Sequence, residues 1–268
     1  MHILRRRLGM VAAGIDIDVA TLSINYTGAH QDYGVVQMND GDYRLLAFTS
    51  SGTLSIEQPV NCEVCVVGGG ANGTNGRGGA GDGGAGAYMK HLSVSAYNGG
   101  NVIVGAGQGV SSIAADMSVS PVSGRHGGTG GGGEGTGDGL SKYPFEDTGY
   151  SLWAGKPHCA GGGEGVYEWY YDSHTDQGYR GGNGGTNGGN GYQSGSSYVS
   201  NPSGGVGGSY GGGAGGSHTT NNGENATYYG SGGGGGKYYR NPYSGAETFY
   251  NGGSGYQGIV YIRIPVNQ

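Results

Sequence analysis

Sixty-two of the 68 glycines in this 268-residue chain fall between residues 68 and 258. Residues 1–67 hold six glycines and residues 259–268 none. The chain is therefore a glycine-poor head, a long glycine-rich body and a short apolar tail. Glycine costs about 1 kcal/mol per helix position relative to alanine, so an ordinary helical or α/β enzyme is excluded. Collagen is excluded too, because it needs glycine at every third position and abundant proline. Here the glycine spacing is irregular and there are 7 prolines.

Two conformations remain open to the tracts at 181–190, 204–216 and 232–236. Alone, such a tract is a flexible coil, because ordering each residue costs about 1–2 kcal/mol and more for glycine. The alternative is a bundle of polyglycine-II helices with three residues per turn and a rise of about 3.1 Å. Such a rod makes no internal hydrogen bonds, so its N–H and C=O groups must find partners on neighbouring rods. Only residues without side chains let backbones come that close, and six neighbours can surround one rod. The tracts are similar in length, and strand-like segments before, between and after them can hold both ends.

The head reads as β. Residues 21–26 alternate apolar and polar side chains, the period of a half-buried strand. The run Tyr43 to Phe48 is more apolar and follows the turn signal Asn39-Asp40-Gly41-Asp42. Thr53 to Ile56, Cys62 to Val67, Ala87 to Val94 and Asn101 to Gly105 are further strand candidates, and 258–265 is a closing strand. The expected organisation is an N-terminal anchoring arm over 1–20, a β region over 21–67 and a glycine-rich body over 68–268. The arm, with Arg5, Arg6 and Arg7 as its dense basic run, reads as an attachment segment rather than a signal peptide.

Charge and motifs narrow the function. A net charge of −6 disfavours nucleic-acid binding, which shows a basic patch. No apolar run approaches the roughly 18 residues of a membrane-spanning helix, so no membrane insertion is expected. Three cysteines make no disulfide framework. Gly68, Gly70 and Gly73 fit a dinucleotide fingerprint, but Thr74-Asn75-Gly76-Arg77-Gly78-Gly79 cannot open the helix that the mechanism requires. Cys62 and Cys65 stand three apart in a strand and face opposite sides, so they cannot share a metal. Asp16, Asp18, Asp40 and Asp42 form no full calcium loop, and the seven histidines are scattered. The reading is no catalytic residue, no metal and no cofactor.

The 22 tyrosines carry more information. Aromatic faces fill interfaces and stack on sugars, and the phenol supplies a hydrogen bond. Tyr167, Trp169, Tyr170, Tyr171 and Tyr179 sit between glycine tracts, as do Tyr228, Tyr229, Tyr238, Tyr239 and Tyr243. If the tracts are rods, these residues form loops at the rod ends and are candidates for receptor binding. The competing reading is that they pack on strands or on neighbouring subunits.

Several segments in order resemble the glycine-rich tail proteins of phages and prophages. They are 1–8, 22–28, 43–46, 48–54, 64–70, 83–88, 102–107 and 255–263. The resemblance implies an all-β fold, a β-sandwich framework whose connections are expanded into polyglycine-II helices, with almost no α-helix. It implies a virion structural protein at a tail tip or fibre, exposed on the particle. Its partners would be other virion proteins, further copies of itself in a homo-oligomer such as a trimer, and a host cell-surface glycan or protein. The alternative is a purely architectural virion subunit, such as a coat, plug or decoration, with no receptor contact. An ice-binding slab is a third class, and the bulky tyrosine inserts argue against it.

Overall fold

A computed structural model describes residues 18–76, 81, 83–84, 86–107, 109, 111–113, 117–119, 143–147, 149–163, 165–170, 176–179, 199–200, 203–208, 210–241 and 243–266. The strands are β1 Ile24–Tyr26, β2 His30–Met38, β3 Gly41–Phe48, β4 Gly52–Val67, β5 Met89–Ile103, β6 Ser111–Ile113 and β7 Met117–Val119. They continue with β8 Tyr167–Tyr170, β9 Asp176–Tyr179, β10 Val199–Ser200, β11 Tyr238–Arg240, β12 Glu247–Phe249 and β13 Ile259–Pro265. The only helical element among the described residues is a 3-10 turn at Pro144–Glu146.

The chain is all-β, as expected. An eight-stranded antiparallel sheet, ordered β2-β3-β13-β4-β5-β6-β7 with β1 on β4, forms the framework. The head therefore shares its sheet with strands from 89–119 and with the closing strand. Both faces of the central strands are covered, which explains why they read as continuous apolar runs. One face carries Leu46, Phe48, Val64, Val66, Val260, Ile262 and Ile264. The long strands curl so that Leu54, Ile56, Tyr97, Val102 and Ile113 close over the same cluster. The register irregularities of β4 against β5, between Ser55 and Cys62, lie within this curled region. The other face carries Leu45, Ala47, Cys65, Val67, Met89, Ile259 and Tyr261, covered by Trp153 and Cys159. Cys62 and Cys65 thus lie in different clusters on opposite faces, as their spacing required. Fully burying each large apolar side chain contributes about 1.5–3 kcal/mol.

Arg263 ends the second face. It is 4% exposed, which an unpaired guanidinium could not sustain. Its Nη2 lies 2.7 Å from both Asp40 Oδ2 and Glu63 Oε2. The rings of Tyr43 and Phe145 flank it at 4.2 and 4.6 Å.

The described glycine tracts form rods. Segment 230–238 is the central one, and its hydrogen bonds repeat every third residue. Gly232, Gly235 and Tyr238 N–H donate to Ala160, Gly163 and Val166 C=O. Gly233 and Gly236 donate to Ala71 and Thr74, and Gly234 and Lys237 to Glu224 and Asn221. Its carbonyls accept in the same rhythm. Those of 230, 233 and 236 take the N–H groups of Ala87, Gly84 and Gly81; those of 232 and 235 take Gly213 and Gly216; those of 231, 234 and 237 take Tyr256, Gly253 and Tyr250. A bonding direction that recurs every three residues is the threefold screw of polyglycine II. The central rod thus has six neighbours, three that it donates to and three that donate to it. These alternate around it in the order 70–76, 250–258, 221–227, 211–217, 159–166, 81–87. Segment 203–208 packs outside this ring, accepting from Gly215 at Gly205 and donating from Gly208 to Gly161.

Inward positions must be glycine. A methyl built on Gly234 would stand 1.8 Å from Ala214 O, and one on Gly73 would stand 1.9 Å from Gly234 O. Outward positions carry side chains, and some of these finish the lattice. Asn72 and Asn75 Oδ1 accept from Gly255 and Gly252 N–H at 2.9 and 3.1 Å. Asn222 and Asn225 Oδ1 accept from Asn251 and Ser254 N–H at 3.0 and 2.8 Å. Asparagines three apart on two flanking rods thus take the place that further rods would fill on the outer side of 250–258 among the described residues.

Candidate recognition surface

The rods have a sheet end and a far end. Rod 70–76 leaves β4, rod 81–87 enters β5 and rod 250–258 enters β13, all at the framework. Rod 159–166 runs away from the framework into β8, and rod 230–238 into β11. At about 3.1 Å per residue the central rod holds the two ends about 25 Å apart. The far end bears a second, five-stranded sheet ordered β10-β9-β8-β11-β12. Strands β8 and β11 pair in parallel, Tyr238 opposite Tyr167, and so extend the parallel register of the rods that lead into them.

The candidate aromatics divide between the two ends. Tyr167, Trp169, Tyr170, Tyr179, Tyr238 and Tyr239 lie in strands of the tip sheet, and Tyr243 lies in its β11–β12 turn. The inserts at this end are thus mostly strands where loops were expected. The Tyr167 and Tyr238 rings stack at 5.0 Å, and those of Tyr238 and Phe249 at 5.7 Å, so one aromatic row crosses three strands. Tyr179 stands opposite Tyr167 in the backbone register. Tyr238 is 3% exposed, and its hydroxyl donates to Glu247 Oε1 at 2.8 Å. Burial, and then this hydrogen bond, push its phenol up to about 12. Lys237 Nζ lies 5.8 and 5.7 Å from the Tyr239 and Tyr250 rings.

Tyr243 is 74% exposed, and Phe249, at the base of the same hairpin, is 45% exposed. The turn is shaped by Asn241, whose Oδ1 accepts the Tyr243 and Ser244 N–H groups at 2.9 and 3.1 Å. Gly245 takes φ +70, a left-handed conformation that suits glycine.

Tyr228 and Tyr229 are at the opposite end, in the turn that precedes the central rod, and both are half-buried. The Tyr228 ring meets Tyr210 at 4.7 Å and His158 at 4.9 Å; Tyr229 meets Tyr256 at 5.6 Å. Buried His158 places Nε2 3.0 Å from the Tyr261 hydroxyl, and burial pushes its pKa down to about 3. These tyrosine rings pack between the rods and the framework, the second of the two roles the sequence left open for them. Tyr171 and the basic run Arg5, Arg6 and Arg7 lie outside the described residues, as does the tract at 181–190.

Sequence reasoning missed Phe249 and Glu247 at the tip and Tyr210 and Tyr256 at the junction. Among the described residues no three His, Cys, Asp or Glu side chains are grouped to hold a metal ion. No described helix is long and apolar enough to cross a membrane. What the tip offers chemically is π faces, phenols and one stiff turn. No protein-family model matches the chain, and no curated protein does.

Proposed function

We propose that this chain is a non-enzymatic virion structural protein of a phage tail tip or fibre, holding an aromatic hairpin outward to contact a host cell-surface glycan or protein. The observation that supports this most is the position of Tyr243, 74% exposed on a pinned turn at the end of the rods furthest from the framework. Exposed aromatics on rigid supports bind with little loss of side-chain entropy. The framework end would join other virion proteins, with Arg5, Arg6 and Arg7 docking an acidic neighbour, and the chain would act as a homo-oligomer.

The test is adsorption of purified protein to host cells, with Tyr243→Ala and Phe249→Ala compared with the unchanged chain. The proposal expects lost adsorption for both, with thermal stability unchanged for Tyr243→Ala and lowered for Phe249→Ala only by its lost stacking on Tyr238, about 0.5–1.5 kcal/mol. Adsorption that survives both substitutions would overturn it. The second reading, a coat, plug or decoration without receptor contact, draws support from Tyr228, Tyr229 and Tyr238, whose rings are already used in packing. It expects no adsorption by the unchanged chain and assembly into particles regardless of Tyr243.

A further inference from the structure

Five of the described asparagines, 72, 75, 98, 222 and 251, are each followed directly by glycine. In an Asn-Gly pair the amide nitrogen of the glycine can attack Cγ of the asparagine side chain, because no Cβ obstructs the approach. Ammonia leaves and a five-membered succinimide forms. Water then adds to one of the two ring carbonyls and opens the ring to aspartate or isoaspartate. The reaction consumes one water, releases one ammonia and needs no oxidant or cofactor. It does need a glycine N–H released from its acceptor and an asparagine carboxamide free to turn.

All five asparagines are exposed, so solvent access does not separate them; the hydrogen bonds do. At Asn72 the nucleophile Gly73 N–H is held by Gly253 O at 2.8 Å, while Gly255 N–H holds Asn72 Oδ1 at 2.9 Å. At Asn75, Gly76 N–H is held by Tyr250 O at 3.1 Å, and Gly252 N–H holds Oδ1 at 3.1 Å. At Asn222, Gly223 N–H is held by Asn251 O at 2.9 Å, and Asn251 N–H holds Oδ1 at 3.0 Å. Both reacting groups are pinned at each of these three sites. Asn251 has one pin, since Gly252 N–H donates to Asn75 Oδ1 and its own side chain makes no hydrogen bond among the described residues. Asn98 differs. It stands between the pairs Ser55–Gly99 and Val60–Tyr97, where the ladder is irregular. Its side chain makes no hydrogen bond among the described residues, and Gly99 and Gly100 take φ +112 and +143.

We propose that Asn98-Gly99 on β5 is a site of spontaneous deamidation, and that the rod lattice shields Asn72, Asn75 and Asn222 from the same reaction. In the rods, conversion has to wait for local opening. The folded chain, incubated at mildly alkaline pH and mapped by peptide mass spectrometry with isoaspartate detection, should convert first at Asn98 and next at Asn251. The three doubly pinned sites should be slower than Asn98 by about tenfold or more, a factor that corresponds to roughly 1.4 kcal/mol of opening. In denaturant the five rates should converge, and Asn98→Gln should remove the first signal. Asn183, Asn187 and Asn190, which lie outside the described residues, are scored separately. Native conversion of Asn72, Asn75 and Asn222 at the rate of Asn98 would overturn the shielding. Absence of conversion at Asn98 in the folded chain, while the unfolded chain converts there, would overturn the site.

Discussion

Replacing Gly234 by alanine puts one methyl group at the centre of the rod bundle. It would stand 1.8 Å from Ala214 O and 2.4 Å from the carbon of the same carbonyl. Ordinary contact begins near 3.4 Å, so rod 211–217 must retreat by roughly 1.5 Å. Backbone cannot swing aside as a long side chain can. The retreat strains or breaks the bonds from Gly213 to Gly232, from Gly216 to Gly235 and from Glu224 to Ala214. Each contributes about 0.5–1.5 kcal/mol net, and a buried group left unpaired costs about 1–3 kcal/mol. The expected loss is therefore about 3–6 kcal/mol, a large part of the roughly 5–15 kcal/mol that keeps a domain folded. Gly245→Ala is the control: its added methyl meets nothing within 4 Å, and the residue takes φ +70. That conformation alone costs about 1–2 kcal/mol. Equilibrium denaturant unfolding reads both. If Gly234→Ala loses no more than Gly245→Ala, rod packing does not depend on backbone approach, and the account of the body fails.

Four further outcomes follow from the same contacts. Burial holds His158 neutral, its pKa lowered from 6.5 to about 3, so its contribution is whole above pH 6.5 and declines as pH falls toward 3. The decline should be up to about 1.4 kcal/mol per pH unit, and His158→Gln should flatten it in pH-resolved unfolding. Burial alone would raise Asp32 and Asp40, but hydrogen bonds from Arg44 and Arg263 outweigh it and hold both carboxyls below 3.8. Their stabilisation is present above pH 3.8 and lost as pH falls through the lowered values, and Arg44→Met should remove the Asp32 share. Tyr228→Ala should cost about 1–3 kcal/mol through its lost ring contacts, whereas Tyr243→Ala should stay within about 0.5 kcal/mol; thermal melts compare them. Asn222→Leu leaves the Asn251 N–H without its side-chain acceptor and should cost about 1 kcal/mol, with faster hydrogen exchange at Asn251.

The legible parts of the sequence were those where composition dictates geometry. The runs 43–48 and 259–265 are legible as buried strands from their apolar density, and Cys62 and Cys65 had to part. Glycine tracts told that rods could form but not which rod touches which, because bare backbone looks the same from every side. The asparagines are a local clue: Asn72 with Asn75, and Asn222 with Asn225, repeat at the period of the screw and line one side of rod 250–258. The tip strands escape local reasoning for another cause. Strands β8 and β11 pair in parallel across some 70 residues of chain, and no local pattern announces such a partner. Tyr228 resembles Tyr238 in sequence, each beside a second tyrosine and a glycine tract. One lies before the central rod and the other after it, so the rod's length carries them to opposite ends.

The ring of six around segment 230–238 also fixes how the molecule should respond to cooling. Melting a conventional core bares hydrocarbon and raises heat capacity, whereas baring peptide groups lowers it. Taking the rods apart exposes almost nothing but amides, so their heat-capacity increment should be near zero or negative. The framework sheet, with its aliphatic faces, should show the usual positive increment. One chain thus joins a calorimetrically ordinary foundation to a mast that chilling does not weaken.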